Sequence, residues 1–171
     1  DGVTAIGGLY NGPVSVSGSM GADAVLGADL RNQHPVLYDL KPGAGPPTQP
    51  GTDPEIRLPP DNDPVKVFGP TRRVECSSCH DPHNNQFGQF LVKPNTNASL
   101  CTTCHQKTNY SASAHATSNA NFTNADGAIT TVREWSCRSC HKAHGASTSQ
   151  AYLLASAEEN TCTQCHGSPS L

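Results

Sequence analysis

The cysteine arrangement is the strongest constraint on this 171-residue chain. All eight cysteines fall in C-x-x-C pairs, and a histidine directly follows every pair. The four motifs are Cys76-x-x-Cys79-His80, Cys101-x-x-Cys104-His105, Cys137-x-x-Cys140-His141 and Cys162-x-x-Cys165-His166. Four disulfides would also use eight cysteines, but they give no reason for the repeated histidine. The pattern therefore predicts a group that two thiols and one imidazole hold together.

C-x-x-C-H is the attachment signature of c-type haem. The two thiols form thioethers with the porphyrin, and the adjacent histidine supplies the proximal nitrogen to the iron. Four copies predict four covalently attached haem c groups, bound through all eight cysteines. The alternative is two tetrahedral zinc sites with four thiolates each. We favour haem because zinc would leave the four adjacent histidines without a role.

The chain has as many spare histidines as it has motifs. Besides the four motif histidines it contains His34, His83, His115 and His144. The equal count predicts that two histidines ligate every iron, one proximal and one distal. The single methionine, Met20, limits histidine–methionine ligation to one haem at most. The predicted iron ligands are His34, His80, His83, His105, His115, His141, His144 and His166.

An internal repeat divides the chain. The pattern C-x-x-C-H-x-x-H, seventeen residues, C-x-x-C-H begins once at Cys76 and again at Cys137. It predicts two di-haem modules, which we place at residues 71–110 (module 1) and 111–171 (module 2). Residues 1–70 are then a haem-free Gly/Pro-rich segment that supplies His34.

The spacing of the two histidines in C-x-x-C-H-x-x-H suggests a distal assignment. On a helical turn, residues three apart share a face, so His80 and His83 would point the same way and ligate different irons. We therefore expect His83 at the haem of the second motif in module 1, held by Cys101 and Cys104. By the same argument we expect His144 at the haem of Cys162 and Cys165.

The two upstream histidines then remain for the first motif of each module. Repeat symmetry predicts His34 at the haem of Cys76 and Cys79, and His115 at the haem of Cys137 and Cys140. His34 precedes its motif by 42 residues, whereas His115 precedes its motif by 22. With this longer tether, ligation by His34 within its own chain and ligation in a neighbouring subunit both remain open.

The composition indicates that haem, not side chains, fills the interior. Aromatic residues make up 5% and charged residues 15%, with 15 glycines and 14 prolines. So little apolar bulk would hardly offset the entropy of ordering the chain. We expect mostly coil, with short helices at the haem motifs and a few short β-strands, organised by stacked haems. The net charge of −3 and the lack of a basic run argue against nucleic acid as a partner, and no apolar stretch approaches the roughly 18 residues of a membrane span.

The haem motifs also carry a family resemblance. The segments S-C-H-D-P-H at 78–83 and S-C-H-K-A-H at 139–144 resemble multihaem c-type cytochromes with doubled C-x-x-C-H motifs. The stretch ADLRNQHPVLYDL resembles the segment that supplies an upstream distal histidine in such proteins. The whole is similar to tetrahaem extracellular cytochromes that form filaments (nanowires). The resemblance implies a homopolymer with haem-to-haem contact between subunits, and His34 as the candidate ligand between them.

The ligand count predicts function. An iron with two histidines has no open position for a substrate, so we expect an electron carrier and not an enzyme. The expected role is long-range electron transport along a filament to redox partners or an external acceptor. A soluble periplasmic shuttle to a reductase is the first alternative, and an enzyme with one open haem is the second. Haem c is attached outside the cytoplasmic membrane, so we expect a secreted protein, extracellular or periplasmic, and Asp1-Gly2 would suit the end left by a removed signal peptide.

Overall fold

The computed structural model describes residues 30–40, 54–146 and 151–167. Its helices are α1 (Cys76–Cys79), α2 (Ala114–Thr117), α3 (Val132–Trp135) and α4 (Glu158–His166). Its strands are β1 (Tyr38–Asp39), β2 (Arg73–Val74), β3 (Asn121–Thr123) and β4 (Ile129–Thr131). Short 3-10 turns cover Leu30–Asn32, Thr96–Ala98, Cys101–Thr103, Tyr110–Ala112, Ser136–Ser139 and Ala151–Leu153.

Most of the described chain is coil, which confirms the predicted secondary structure, and helical turns lie at all four motifs. The stacking of haems stays a prediction, as do the module boundaries. Much of the haem-free segment 1–70, including Asp1-Gly2 and Met20, lies outside the described residues.

The two-stranded sheet of β1 and β2 ties the segment around His34 to module 1. Strand β1 pairs antiparallel with β2, with Tyr38 opposite Val74 and Asp39 opposite Arg73. The Asp39 carboxylate accepts a hydrogen bond from Thr71 Oγ1 at 2.6 Å and forms an ion pair with Arg73 Nε at 2.9 Å. These contacts hold a strand close to the first motif although 32 to 34 residues separate the partners.

A β-hairpin of β3 and β4 lies in the first part of module 2. Strands β3 and β4 pair antiparallel in the register Asn121–Thr131, Phe122–Thr130 and Thr123–Ile129. Their turn is built on Asn124, whose Oδ1 accepts the backbone N–H groups of Asp126 and Ala128 at 3.0 and 2.9 Å. Gly127 follows with a φ of 78°, a conformation that glycine adopts without a steric penalty.

Helix α3 follows β4 directly and leads into the third motif. Its first turn is a capping box, in which Thr131 Oγ1 accepts the Glu134 N–H at 3.2 Å and Glu134 Oε2 accepts the Thr131 N–H at 3.1 Å. The Arg138 guanidinium then lies 3.8 Å from the ring centroid of Trp135. The hairpin and the cap together fix where the third motif begins.

The sequence repeat is also a structural repeat. In each module, a loop that follows the first motif folds back and forms a backbone hydrogen bond with that motif. In module 1, Val92 N–H donates to the Cys79 carbonyl at 2.9 Å, and in module 2 Ala155 N–H donates to the Cys140 carbonyl at the same distance. Both loops contain two residues with left-handed backbone. These are Gln89 and Phe90 in module 1 and Tyr152 and Leu153 in module 2. Leu91 lies opposite His80, and Leu154 lies opposite His141, so the two leucines occupy equivalent positions in the repeat.

Side chains alone form very little core. Among the described residues, five apolar residues are buried: Leu40, Val65, Leu91, Ala98 and Ala146. The largest fully buried side chain in these ranges is Ser78, whereas Ile129 and Tyr152 are 78% and 87% exposed. Burial on this scale is far below what a folded domain of this size normally achieves.

We therefore expect the chain without haem to be largely unfolded. Replacing all eight cysteines by serine blocks covalent attachment and leaves the side-chain core unchanged. Circular dichroism should then show mostly coil and no cooperative melting transition, while the haem-loaded wild type melts cooperatively. A cooperative transition in the serine variant would show that the chain supplies its own core.

Candidate haem-attachment sites

We number the motifs in chain order as sites 1 to 4, beginning at Cys76, Cys101, Cys137 and Cys162. At sites 1 to 3 the motif histidine donates its backbone N–H to the carbonyl of the first cysteine, at 3.0, 2.9 and 2.9 Å. Site 4 is the end of α4. This turn fixes the relative placement of the two thiols and the imidazole. At site 1 the turn is further held by buried Ser78, whose Oγ accepts the Glu75 N–H at 2.9 Å.

The thiols are available for attachment. All eight cysteines lie in the described residues, and none forms a disulfide. Cys76 and Cys162 are exposed, and the other six are half-buried. The disulfide alternative is therefore not what the structure shows.

The histidines of sites 1 and 3 are oriented in the same way. His80 Nδ1 lies 2.8 Å from the Gln89 carbonyl oxygen, and His141 Nδ1 lies 2.9 Å from the Tyr152 carbonyl oxygen. Because a carbonyl only accepts hydrogen bonds, Nδ1 is the protonated nitrogen in both rings. Nε2 is then left with its lone pair for a metal, and the Nδ1 hydrogen bond fixes the ring orientation.

Six of the eight histidines meet in three pairs. The ring centroids lie 6.1 Å apart for His34 and His105, 6.0 Å for His80 and His144, and 6.0 Å for His115 and His166. A metal–imidazole bond is about 2 Å long, and the ring centroid lies roughly 1.1 Å behind the nitrogen, so two imidazoles on opposite sides of one iron have centroids about 6 Å apart. Each pair combines one motif histidine with one spare histidine.

These pairs fit haem. A porphyrin supplies four nitrogens and leaves two axial positions to the protein. The structure offers His34 with His105 at site 2, His144 with His80 at site 1, and His115 with His166 at site 4. Within the described ranges, no group of three or more His, Cys, Asp or Glu side chains is placed to hold a bare metal ion.

The pairing differs from the one predicted above. We expected His83 at site 2, His144 at site 4, His34 at site 1 and His115 at site 3. The structure instead puts both upstream histidines at the second motif of their own modules, and His144 at the first motif of module 1. The ring of His83 has no hydrogen-bond partner or ring contact with any described residue.

The helical-face argument failed for a local reason. Helix α1 ends at Cys79, and His80 has extended backbone with φ −121° and ψ 135°. Asp81 precedes Pro82, and a residue before proline is disfavoured in helical conformation. His80 and His83 therefore do not share a helix face.

The segment around His34 contacts module 2 of its own chain. The His34 backbone N–H donates to the Ala143 carbonyl at 2.7 Å, and Ala146 N–H donates to the Asn32 carbonyl at 3.0 Å. Residues 30–40 therefore contact module 2 through this loop and module 1 through β1. One segment thus fixes the two modules against each other.

Gln33 connects two of the distal histidines and was missed by the sequence reasoning. It is buried, and its Oε1 accepts a hydrogen bond from His144 Nδ1 at 2.9 Å. Its only sequence signal is its position next to His34. Burial lowers the pKa of His34, and burial followed by the nearby charges of His80 and His34 lowers the pKa of His144. Both effects favour the neutral imidazole, which is the form that ligates a metal.

The cysteines show which sites adjoin. Burial raises the pKa of Cys104 to about 11, and the nearby Cys79 thiol adds to that rise, which places site 1 beside site 2. The nearby Cys101 thiol lowers the pKa of Cys137, and the hydroxyl groups of Tyr110 and Ser136 share a hydrogen bond, so site 2 lies beside site 3.

Site 4 adjoins site 3. Burial raises the pKa of Cys140, and the thiols of Cys162 and Cys165 raise it further. Thioethers do not ionise, so in the haem-loaded protein these pKa values no longer apply. The proximity of the cysteines at sites 3 and 4 remains. The order of adjacent sites is therefore 1, 2, 3, 4.

Two segments of the chain match the doubled CXXCH motif family: residues 69–110 and 130–170. The match indicates covalently bound c-type haem, suggests haem-binding electron transfer, and is consistent with a multihaem c-type cytochrome. Comparisons with curated proteins and with solved structures gave no match. No described helix is long and apolar enough to cross a membrane.

The observed pairing predicts the effect of His144→Ala. In the haem-loaded protein this substitution should open site 1, so that one iron in four becomes high-spin and binds carbon monoxide. Absorption spectroscopy with carbon monoxide measures the fraction.

Removing single haems identifies the opened site. In a Cys76→Ser, Cys79→Ser background, His144→Ala should add no carbon monoxide binding, because site 1 then has no haem. In a Cys162→Ser, Cys165→Ser background the new binding should remain. The reverse pattern would restore the original assignment of His144 to site 4.

Proposed function

We propose that this protein is an electron carrier with four haem c groups, each iron ligated by two histidines. The observation that carries the proposal is the set of three histidine pairs at 6.0–6.1 Å. Bound haem supplies reversible one-electron exchange at iron. The eight cysteines hold the groups, and the paired imidazoles occupy the axial positions.

The paired histidines support a carrier over an enzyme. Where both axial positions hold an imidazole, a substrate has no position at the iron. Two imidazoles also give a lower reduction potential than histidine with methionine. The residues at sites 1, 2 and 4 thus favour electron exchange at low potential over substrate chemistry.

The adjacency of the four sites provides a route through the chain. Cys79 lies near Cys104, Cys101 lies near Cys137, and Cys140 lies near Cys162. The neighbouring thiols of Cys101 and Cys137 join the last site of module 1 to the first site of module 2. Electrons would therefore cross between modules at this point.

We further propose that the chains assemble into an extracellular filament that carries electrons to redox partners or an external acceptor. Haem c proteins are typically exported, and the first and last attachment sites have exposed cysteines, Cys76 and Cys162. A route that is open at both ends suits end-to-end assembly. A soluble periplasmic tetrahaem shuttle is the second candidate, since three of the four sites obtain both histidines within one chain.

The ligation is tested on the purified, assembled protein. We expect all four irons to be low-spin by electron paramagnetic resonance and to bind neither carbon monoxide nor cyanide. An iron that takes up either ligand in the assembled native protein would contradict the carrier function and favour catalysis.

Size distinguishes the two candidates. Electron microscopy of the native protein should show filaments whose length grows with protein concentration. Size-exclusion chromatography that gives one small particle at every concentration would favour the shuttle and leave electron transfer itself untouched.

A further inference from the structure

The two modules follow one rule for their upstream histidines. His34 pairs with His105, and His115 pairs with His166. In each case the upstream histidine serves the second motif of its own module. The rule holds twice, so the modules are equivalent in ligation as well as in sequence.

A second rule concerns the histidine at the end of C-x-x-C-H-x-x-H. In module 2 this residue is His144, and it pairs with His80, in the first motif of module 1. It therefore serves the first motif of the preceding module. The counterpart of His144 in module 1 is His83, and residues 1–75 contain no C-x-x-C-H motif.

The counterpart of His80 in module 2 is His141. Its Nδ1 is held by a carbonyl as that of His80 is, so Nε2 is free to ligate. No described histidine ring contacts that of His141, and both His83 and His141 are exposed. Their counterparts His144 and His80 are half-buried. One distal histidine and one motif histidine are thus left over, and they are the two that the second rule would pair.

The cysteines supply an independent observation. Inside the chain, the second motif of module 1 lies beside the first motif of module 2, where the hydroxyl groups of Tyr110 and Ser136 share a hydrogen bond. The thiols of Cys101 and Cys137 lie near each other there. The counterparts of this pair are Cys162, in the second motif of module 2, and Cys76, in the first motif of module 1. These two are exposed, while the other six cysteines are half-buried.

The upstream pairs show the same difference in burial. His34 and His105 are half-buried, and module 2 contacts this pair through the Ala143 carbonyl, which accepts the His34 N–H. The equivalent pair, His115 and His166, is exposed. The surfaces that are covered between modules inside the chain are thus exposed at its two ends.

We propose that module 1 of one copy docks on module 2 of a second copy in the way that module 2 docks on module 1 within the chain. His83 then becomes the distal ligand of the haem at site 3 in the second copy, opposite His141 there, and site 1 adjoins site 4 of that copy. This inference rests on the proposed function, since site 3 must carry haem. The contact joins two different surfaces, so its repetition gives an open polymer, and the site order continues as 1, 2, 3, 4, 1.

The test is His83→Ala in the haem-loaded protein. Its side chain is exposed and has no hydrogen bond or ring contact with a described residue, so folding and haem attachment should be unaffected. We expect the variant to stay monomeric by size-exclusion chromatography, with one iron in four high-spin and reactive with carbon monoxide. Added imidazole should restore the low-spin spectrum without restoring assembly. Gln86→Ala, an exposed change in the same loop, should behave as the wild type.

Mixing two variants tests the direction of the contact. A chain with Cys137→Ser, Cys140→Ser and His141→Ala lacks the accepting site but retains His83. Mixed with His83→Ala chains, it should form dimers and no longer species, and the high-spin signal of the His83→Ala chains should disappear.

The outcomes for this inference and for the carrier function are separate. If His83→Ala keeps four low-spin irons and still assembles, the inference is wrong, while the carrier function stands. A monomeric wild type with four low-spin irons would have the same consequence. An open iron in the assembled wild type would instead overturn the carrier function, and this is measured without any variant.

Discussion

The approach of two imidazole ring centroids to about 6 Å is the interaction on which this structure depends. Each of the three pairs joins parts of the chain that are distant in sequence, as His34 and His105 do. The pair of His80 and His144 joins the two modules directly. On the proposed function, iron ligation at these pairs would add long-range links to a chain whose buried apolar core, among the described residues, has only five members.

The small apolar core explains the irregular fold. Strands of two or three residues and helices of mostly four residues cannot form stable layers by themselves. These short elements instead position the histidines and the haem motifs. Strand β1 anchors the segment that carries His34 and Gln33, and the capped helix α3 sets the start of the third motif. Polar turns such as that of Asn124 replace the packing that a larger core would supply.

The contact between the two modules joins a different surface of each module. The neighbouring thiols of Cys101 and Cys137 and the pair of His80 and His144 both lie between modules, and their counterparts in the repeat are exposed. Loops of equivalent shape after sites 1 and 3 show that the two modules are built alike. On the proposed function, repeating one kind of contact within a chain and between chains would extend the electron path.

The sequence alone predicted the attachment motifs and the helical turns at them, because a C-x-x-C-H turn is local. The eight candidate ligands come from a count of histidines, which needs no structure, and like the module boundaries they stay predictions. The pairing of those ligands could not be read in this way. It depends on where α1 ends at Cys79, on the extended backbone of His80, and on the hydrogen bonds that β1 makes 34 residues away. Only tertiary structure decided that His34 reaches site 2 and that His144 reaches back to site 1, since a distal ligand is chosen by which segments fold against each other and not by its distance along the chain.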